Sequence, residues 1–256
     1  MPGIADIYYH EYKGNGEGKR SVVVLIHGAG GTHLYWPPEL RRLPGYRVLA
    51  LDLPGHGKSA GRGLQSIAAY TQAVKDWLLA LGLHSAVFAG HSMGSAIALT
   101  MALEHAEHVN GLVLLGSGAR LKVSPELLEN AASQTTFQNA VNMVIEWSFG
   151  FGALPRLKEL AAQRMAETRA SALYGDFVAC NTFDVTARIE QIRQPTLVVC
   201  GSEDRMTPLR QSQFLADHIP GATLKTIPEA GHMVMLEKPQ PVADILLGFL
   251  EGVKYL

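Results

Sequence analysis

The pattern G-x-S-x-G occurs twice, as Gly57-Lys58-Ser59-Ala60-Gly61 and as Gly90-His91-Ser92-Met93-Gly94. A serine hydroxyl attacks carbonyl carbon when a tight strand-to-helix turn lifts its Oγ above a sheet and a nearby base takes its proton. Flanking sequence separates the two matches. The second follows the apolar run Val87-Phe88-Ala89 and leads into the helix-forming Ser95-Ala96-Ile97-Ala98-Leu99. The first lies between Pro54-Gly55-His56 and Arg62-Gly63, a loop on both sides. Ser92 is therefore the candidate nucleophile, and Ser59 reads as a loop residue.

The elements that must hold such a serine are written around it. Short apolar runs recur at Val22–Ile26, Tyr46–Leu51, Ala86–Ala89, Leu112–Leu115 and Thr196–Cys200, each ending at a turn residue. Runs of this length suit strands buried on both faces of a parallel sheet. Between them, Ile67, Tyr70, Val74, Trp77, Leu78 and Leu81 fall at helical spacing, with Gln72, Lys75 and Asp76 on the opposite side. This is an amphipathic helix lying on a sheet. Further helices are expected from about Met93 to Glu107 and from Pro239 to Val253, the latter with proline in its first turn. Strands alternating with helices predict a doubly wound, mostly parallel α/β sheet. The alternation stops after Gly118 and resumes at Thr196; helical patterns such as Pro125–Ala132 and Arg156–Ala170 fill the interval. The expected organisation is a core of residues 1–118 and 191–256, with 119–190 as a helical cap inserted in it. The run Gly14-Asn15-Gly16-Glu17-Gly18 is expected to form a hairpin turn between two N-terminal strands.

Composition excludes several classes. The 256 residues carry 22 Lys+Arg against 23 Asp+Glu, a net charge of -1, so no electrostatic footprint for nucleic acid or an anionic membrane exists. With 47% hydrophobic and 18% charged residues, the chain is neither disordered nor fibrous. Two cysteines, Cys180 and Cys200, cannot frame a disulfide scaffold and read as buried thiols. The first twenty residues hold no continuous apolar segment, and a cytoplasmic protein is expected. No heptad pattern demands a partner, so a monomer or homodimer is expected.

In this frame the sequence resembles the α/β-hydrolase family. The resemblance spans nearly the whole chain and rests on five motifs in order. They are the His27-Gly28-Ala29-Gly30 turn, the Asp52-to-Ser59 loop, the Gly90-to-Gly94 elbow, Gly201-Ser202-Glu203-Asp204 and Gly231-His232. The family's order of nucleophile, acid and base implies Asp204 as the acid, with Glu203 as the other candidate. A buried carboxylate in that position fixes the tautomer of the base and stabilises its imidazolium. Of ten histidines only His218 and His232 follow Asp204. His218 sits near the end of a helical pattern, where a cation is mildly favoured without any catalytic part. His232 follows the strand-like Thr223–Ile227 and the turn Pro228-Glu229-Ala230-Gly231, so it is the candidate base. The resemblance assigns the oxyanion hole to the backbone N–H groups of Ala29 and Met93. His27, His56 and His91 read as structural residues of their loops.

Other motifs fail on inspection. Gly57-Lys58-Ser59 lacks the earlier glycine of a Walker loop, since Asp52 stands there. Glu104-His105-Ala106-Glu107-His108 matches no zinc-binding pattern and reads as a solvated helix end. No cofactor and no metal are expected. The apolar residues Leu121, Phe137, Met143, Trp147, Phe149, Phe151 and Phe177 would either line a lid over an acyl group or pack the cap's own interior.

Within the family a serine nucleophile disfavours the dehalogenases and epoxide hydrolases, which use aspartate at the elbow. The resemblance implies a carboxylesterase acting on a small-molecule ester of short or medium acyl length. Carbon–carbon bond hydrolases of meta-cleavage products share the Ser-Met-Gly elbow, although they usually carry Trp where Met233 follows His232. Lactonases, amidases and cofactor-free perhydrolases share the same three residues. So do family members that act as small-molecule receptors with single turnover.

Overall fold

The computed structural model describes residues 6–13 and 22–253. Seven strands, β1 (Tyr8–Lys13), β2 (Val22–Ile26), β3 (Arg47–Asp52), β4 (Ala86–His91), β5 (Val109–Leu115), β6 (Thr196–Gly201) and β7 (Thr223–Ile227), form one sheet. Its order is β1-β3-β2-β4-β5-β6-β7. Every neighbouring pair is parallel except β1 with β3. The doubly wound sheet is as the apolar runs predict. The expected N-terminal hairpin is corrected, because β3 stands between β1 and β2 and takes β1 as its antiparallel edge. The glycine run itself lies outside the described residues. Glycine-rich spacing marks a turn but does not say whether the flanking strands pair with each other.

The helices are α1 (Pro38–Arg41), α2 (Ile67–Ala80), α3 (Met93–Glu104), α4 (Pro125–Ala131), α5 (Phe137–Ser148), α6 (Pro155–Ala166), α7 (Ala170–Thr182), α8 (Leu209–His218), α9 (Val234–Glu237) and α10 (Pro239–Gly252). Strand residues alternate between two buried clusters. Val23, Leu25, Val87, Ala89, Val113 and Leu115 face one side with α10 residues Val242, Leu246 and Leu250. Val24, Ile26, Phe88, Leu112 and Leu114 face the other with Val74, Trp77 and Leu78 of α2 and Ile97 and Met101 of α3. Continuous apolar runs in β4, β5 and β6 follow from this, since a strand covered on both faces has no solvent side to fill with polar residues. The apolar stripe of α2 is buried as its spacing predicts, and Ser66 caps the helix by accepting from Ala69 N–H.

Between β5 and β6 the chain leaves the sheet through α4 to α7. The two ends of this excursion meet: Val185 N–H donates to Ala119 O at 2.8 Å, and Leu121 N–H to Phe183 O. The expected continuous helix over Arg156–Ala170 is instead two, α6 ending at Ala166 and α7 beginning at Ala170. Among the described residues no helix is long and apolar enough to cross a membrane. Cys180 and Cys200 are free and buried.

Candidate active site

β4 ends at His91 and α3 begins at Met93, so Ser92 alone makes the turn, at φ 53° and ψ -114°. A positive φ away from glycine costs on the order of 1–3 kcal/mol and persists only where surroundings enforce it. Here Ser92 N–H donates to Leu115 O at 2.9 Å. The Ser95 hydroxyl donates to Gly90 O at 2.7 Å, which fixes the strand before the turn. A Cβ on Gly90 would stand 2.2 Å from Gly94 O, and one on Gly94 would stand 2.1 Å from Ile26 O. Both outer positions of the motif must therefore be glycine for strand and helix to approach. Ser59, in the other match, is a cross-tie: its Oγ accepts from Tyr8 N–H at 2.8 Å and donates to Asp52 O.

The loop after β6 delivers Asp204 and the loop after β7 delivers His232. His232 Nδ1 lies 2.9 Å from Asp204 Oδ2. The carboxylate also accepts from Thr207 Oγ1 at 2.8 Å on Oδ2, and from Met206 and Thr207 N–H at 2.9 and 2.8 Å on Oδ1. Burial pushes the Asp204 carboxyl up, but the imidazole and the Thr207 donors outweigh it and hold the group below the usual carboxylate range. Glu203 points elsewhere: its Oε2 accepts from Phe151 N–H at 2.7 Å. His218 is likewise apart, its Nδ1 2.8 Å from Phe214 O within α8.

Two supporting residues, Thr207 and Glu237, were not singled out from sequence. Thr207, three residues after Asp204, holds the acid from both backbone and side chain; an Asp followed by a hydroxyl residue at that offset is a turn signal that could have found it. Glu237 accepts from Gly231 N–H and from Gly150 N–H, each at 2.9 Å, and so ties the His232 loop to the turn after α5. Burial holds its carboxyl above the ordinary value. His91 Nε2 lies 3.0 Å from the carbonyl of His232. Burial first, and the neighbouring His232 second, depress His91 to about 3, so it is a neutral donor that steadies the His232 backbone, as the structural reading of His91 expects.

Opposite Ser92 lies the turn after β2. His27 accepts from Leu53 N–H on Nε2 at 3.0 Å, which leaves Nδ1–H to donate to Gly28 O at 2.7 Å. Burial depresses His27 to about 4, as this neutral tautomer requires. Gly31 N–H also donates to Gly28 O, so the peptide whose N–H belongs to Ala29 is fixed by two donors at its carbonyl. Met93, fully buried, opens α3, where helix amides have no intrahelical partner.

Ser92, His232, Gly28 and Ala29 line one cavity of about 230 Å³. Its walls come from both the sheet loops and the helical segment. Of the seven apolar candidates there, Leu121, Trp147 and Phe177 line the cavity. Phe137 and Phe149 are buried in the main cluster with Met143 packed against it. Phe151 is exposed beneath the Arg205 guanidinium. Lys122 and Arg205 are the charged side chains of the lining, which contains no carboxylate. Among the described residues no His, Cys, Asp and Glu group is arranged to hold a metal ion.

A seven-stranded sheet with a strained serine between strand and helix, and an aspartate and a histidine paired beyond the later strands, is the architecture of a hydrolase. The family model described as alpha/beta hydrolase fold matches residues 21–239, and the chain belongs to that family. It is 29% identical over 272 residues to "Putative carbamate hydrolase RutD" of a Caulobacter species, covering 98% of each chain. It is 29% identical over 260 residues to a 2-hydroxy-6-oxo-6-phenylhexa-2,4-dienoate hydrolase of Burkholderia cepacia, covering 92% of this chain and 90% of the relative. Among solved structures, a thermophilic esterase matches with a TM-score of 0.82 at 31% identity, over 98% of this chain and 97% of that one.

Proposed function

We propose that this hydrolase is a serine carboxylesterase acting on short- to medium-chain esters through an acyl-enzyme on Ser92. The observation that carries the reading is the single cavity shared by Ser92, His232 and Ala29, whose other walls include Leu121, Trp147, Phe177 and Met233. At about 230 Å³ it lies below the roughly 300–1,000 Å³ of drug-sized sites, which suits a small ester. In this reading residues 119–190 act as a cap, and the protein works on small molecules as a cytoplasmic monomer or homodimer.

The steps follow from the groups in place. His232 takes the Ser92 proton while Asp204 steadies the ring through Nδ1. Oγ adds to the ester carbonyl, and the oxygen takes its negative charge toward the amides of Ala29 and Met93. The tetrahedral intermediate collapses, the alcohol leaves with the proton held by His232, and the acyl group remains on Ser92. Water, deprotonated by His232, then releases the acid and restores the serine.

One observation supports a second reading. The cavity lining includes Lys122 and Arg205 and no acidic residue; Lys122 Nζ donates to Asn181 O and the Arg205 guanidinium to Glu146 O at its rim, and either head turned inward would meet a substrate carboxylate. The relative named for a hexadienoate would have such a substrate, so a carbon–carbon hydrolase on the same three residues is the alternative. Release of nitrophenol from p-nitrophenyl acetate through decanoate, by wild type beside Ser92→Ala, tests the first reading. Multiple turnovers that vanish in the variant support it. A single burst, or ester hydrolysis unaffected by the substitution, sinks it, and turnover confined to a 2-hydroxy-6-oxo-dienoate selects the alternative.

A further inference from the structure

The turn that carries Ala29 is gripped from two directions. From the core, His27 Nδ1–H and Gly31 N–H hold Gly28 O and so fix the peptide before Ala29. From the helical segment, Asp176 of α7 accepts Gly30 N–H on Oδ2 at 2.8 Å, which fixes the peptide after it. Thr168, between α6 and α7, donates its hydroxyl to Gly30 O at 2.9 Å. Gly30 adopts φ +65°, and a Cβ there would lie 2.7 Å from Leu173 of α7, so segment and turn are in direct contact.

Asp176 is not a casual neighbour. It is fully buried, and its three donors all come from the core: Gly30 N–H, His56 Nε2 at 2.8 Å and Tyr70 OH at 2.6 Å. His56 Nδ1 faces Pro54 O at 3.1 Å, so both ring nitrogens face acceptors and the doubly protonated ring satisfies both. A buried ion pair is seldom the most stabilising way to dock one element on another, since apolar side chains of similar volume do as well or better. A side-chain oxygen acceptor is needed where a loop amide must be held in one direction.

We propose that Asp176 is a positioning residue for the oxyanion donor Ala29, so that hydrolysis depends on the helical segment being seated on the Gly28–Gly31 turn. The proposal rests on the esterase reading and on the assignment of Ala29 N–H within it. The segment then does more than roof the cavity: its carboxylate completes the part of the site that meets the developing charge. The substrate itself is bound by other walls, so loss of Asp176 acts on the transition state and spares the ground state.

The test measures p-nitrophenyl butyrate kinetics and inhibition by a trifluoromethyl ketone of matching chain length, whose adduct with serine bears an oxyanion. Wild type, Asp176→Ala, Asp176→Asn and Thr168→Val are compared, each with its thermal midpoint. Asp176→Ala is expected to lower kcat by about 10- to 100-fold with KM within about twofold, and to raise the ketone Ki by the same factor. Asp176→Asn keeps a carbonyl oxygen for Gly30 and recovers most of that loss. Thr168→Val gives a smaller loss, about threefold, in kcat and ketone affinity together. A folded Asp176→Ala with wild-type kcat and Ki overturns the proposal, as does a loss of kcat with ketone affinity unchanged. If Asp176→Ala fails to fold, the near-isosteric Thr168→Val decides by the same two readouts, a wild-type kcat and Ki there overturning the proposal. A wild type that turns over no ester and binds no ketone overturns the esterase reading and this proposal with it. Ser92-dependent wild-type turnover with Asp176→Ala and Thr168→Val unaffected overturns only the role of Asp176.

Discussion

Of three buried aspartate–histidine pairs among the described residues, two stand beside the cavity or the turn that flanks it at nearly the same distance, Asp204–His232 at 2.9 Å through Nδ1 and Asp176–His56 at 2.8 Å through Nε2. They differ in what the other ring nitrogen meets. His232 is engaged through Nδ1 and its ring lines the cavity, where a proton can be taken from a neighbour and returned. His56 has one nitrogen on Asp176 and the other on Pro54 O, so it holds its protons and joins the helical segment to the core. The pair alone does not make a base. A histidine with one nitrogen held and the other turned to a cavity can do acid–base work, and a histidine held at both ends is a bolt.

The contrast breaks most visibly at Asp204. Asp204→Asn is expected to lower kcat by about 10⁴-fold, because an amide no longer fixes the tautomer or stabilises the imidazolium. The thermal midpoint should move little by comparison, since the loop keeps its other backbone contacts. A fall in stability without a fall in kcat would exchange the roles of the two pairs.

At the second pair the effect moves to stability. His56→Gln leaves the Asp176 carboxylate without its cation, at a cost of about 3–5 kcal/mol in denaturant unfolding. Burial pushes the His56 imidazole down, but Asp176 outweighs it and raises the folded value above the ordinary 6.5. The stabilisation from charged His56 is therefore full below pH 6.5 and is lost as pH rises through the raised folded value. The gap between wild type and His56→Gln should be widest in mild acid and narrow toward alkaline pH. A gap independent of pH would mean that the ring acts by shape alone.

The smallest effect separates the two G-x-S-x-G motifs. Ser59→Ala removes one bond to Tyr8 N–H and one to Asp52 O, and should cost about 1–2 kcal/mol while leaving ester turnover per folded molecule unchanged. A large loss of turnover in this variant would return Ser59 to candidacy.

Much of this was legible in the sequence, for a physical reason. Strands covered on both faces write themselves as apolar runs, and the strained Ser92 turn demands glycine at positions 90 and 94, so β4, the elbow and α3 are local signals. Asp204 and His232 stand where the family order implies, and their pairing confirms only that the fold brings them together. The rest is carried by contacts across long stretches of chain. Asp176 meets Gly30 across 146 residues and His56 across 120, and nothing in the local pattern around Asp176 marks it as anything but one polar position in a helix. The insertion of β3 between β1 and β2 escaped for the same reason, because strand partners are chosen by the whole sheet.

The strand order also sets a sequence of events in biosynthesis. Ser92 sits at the end of the central strand β4, whose neighbours β2 and β5 are complete by residue 115, whereas Asp204 and His232 follow β6 and β7 at one edge. A chain emerging from the ribosome N-terminus first holds Ser92 long before Asp204 and His232 exist. The three residues of the proposed site therefore come together only once the last two strands have joined the sheet.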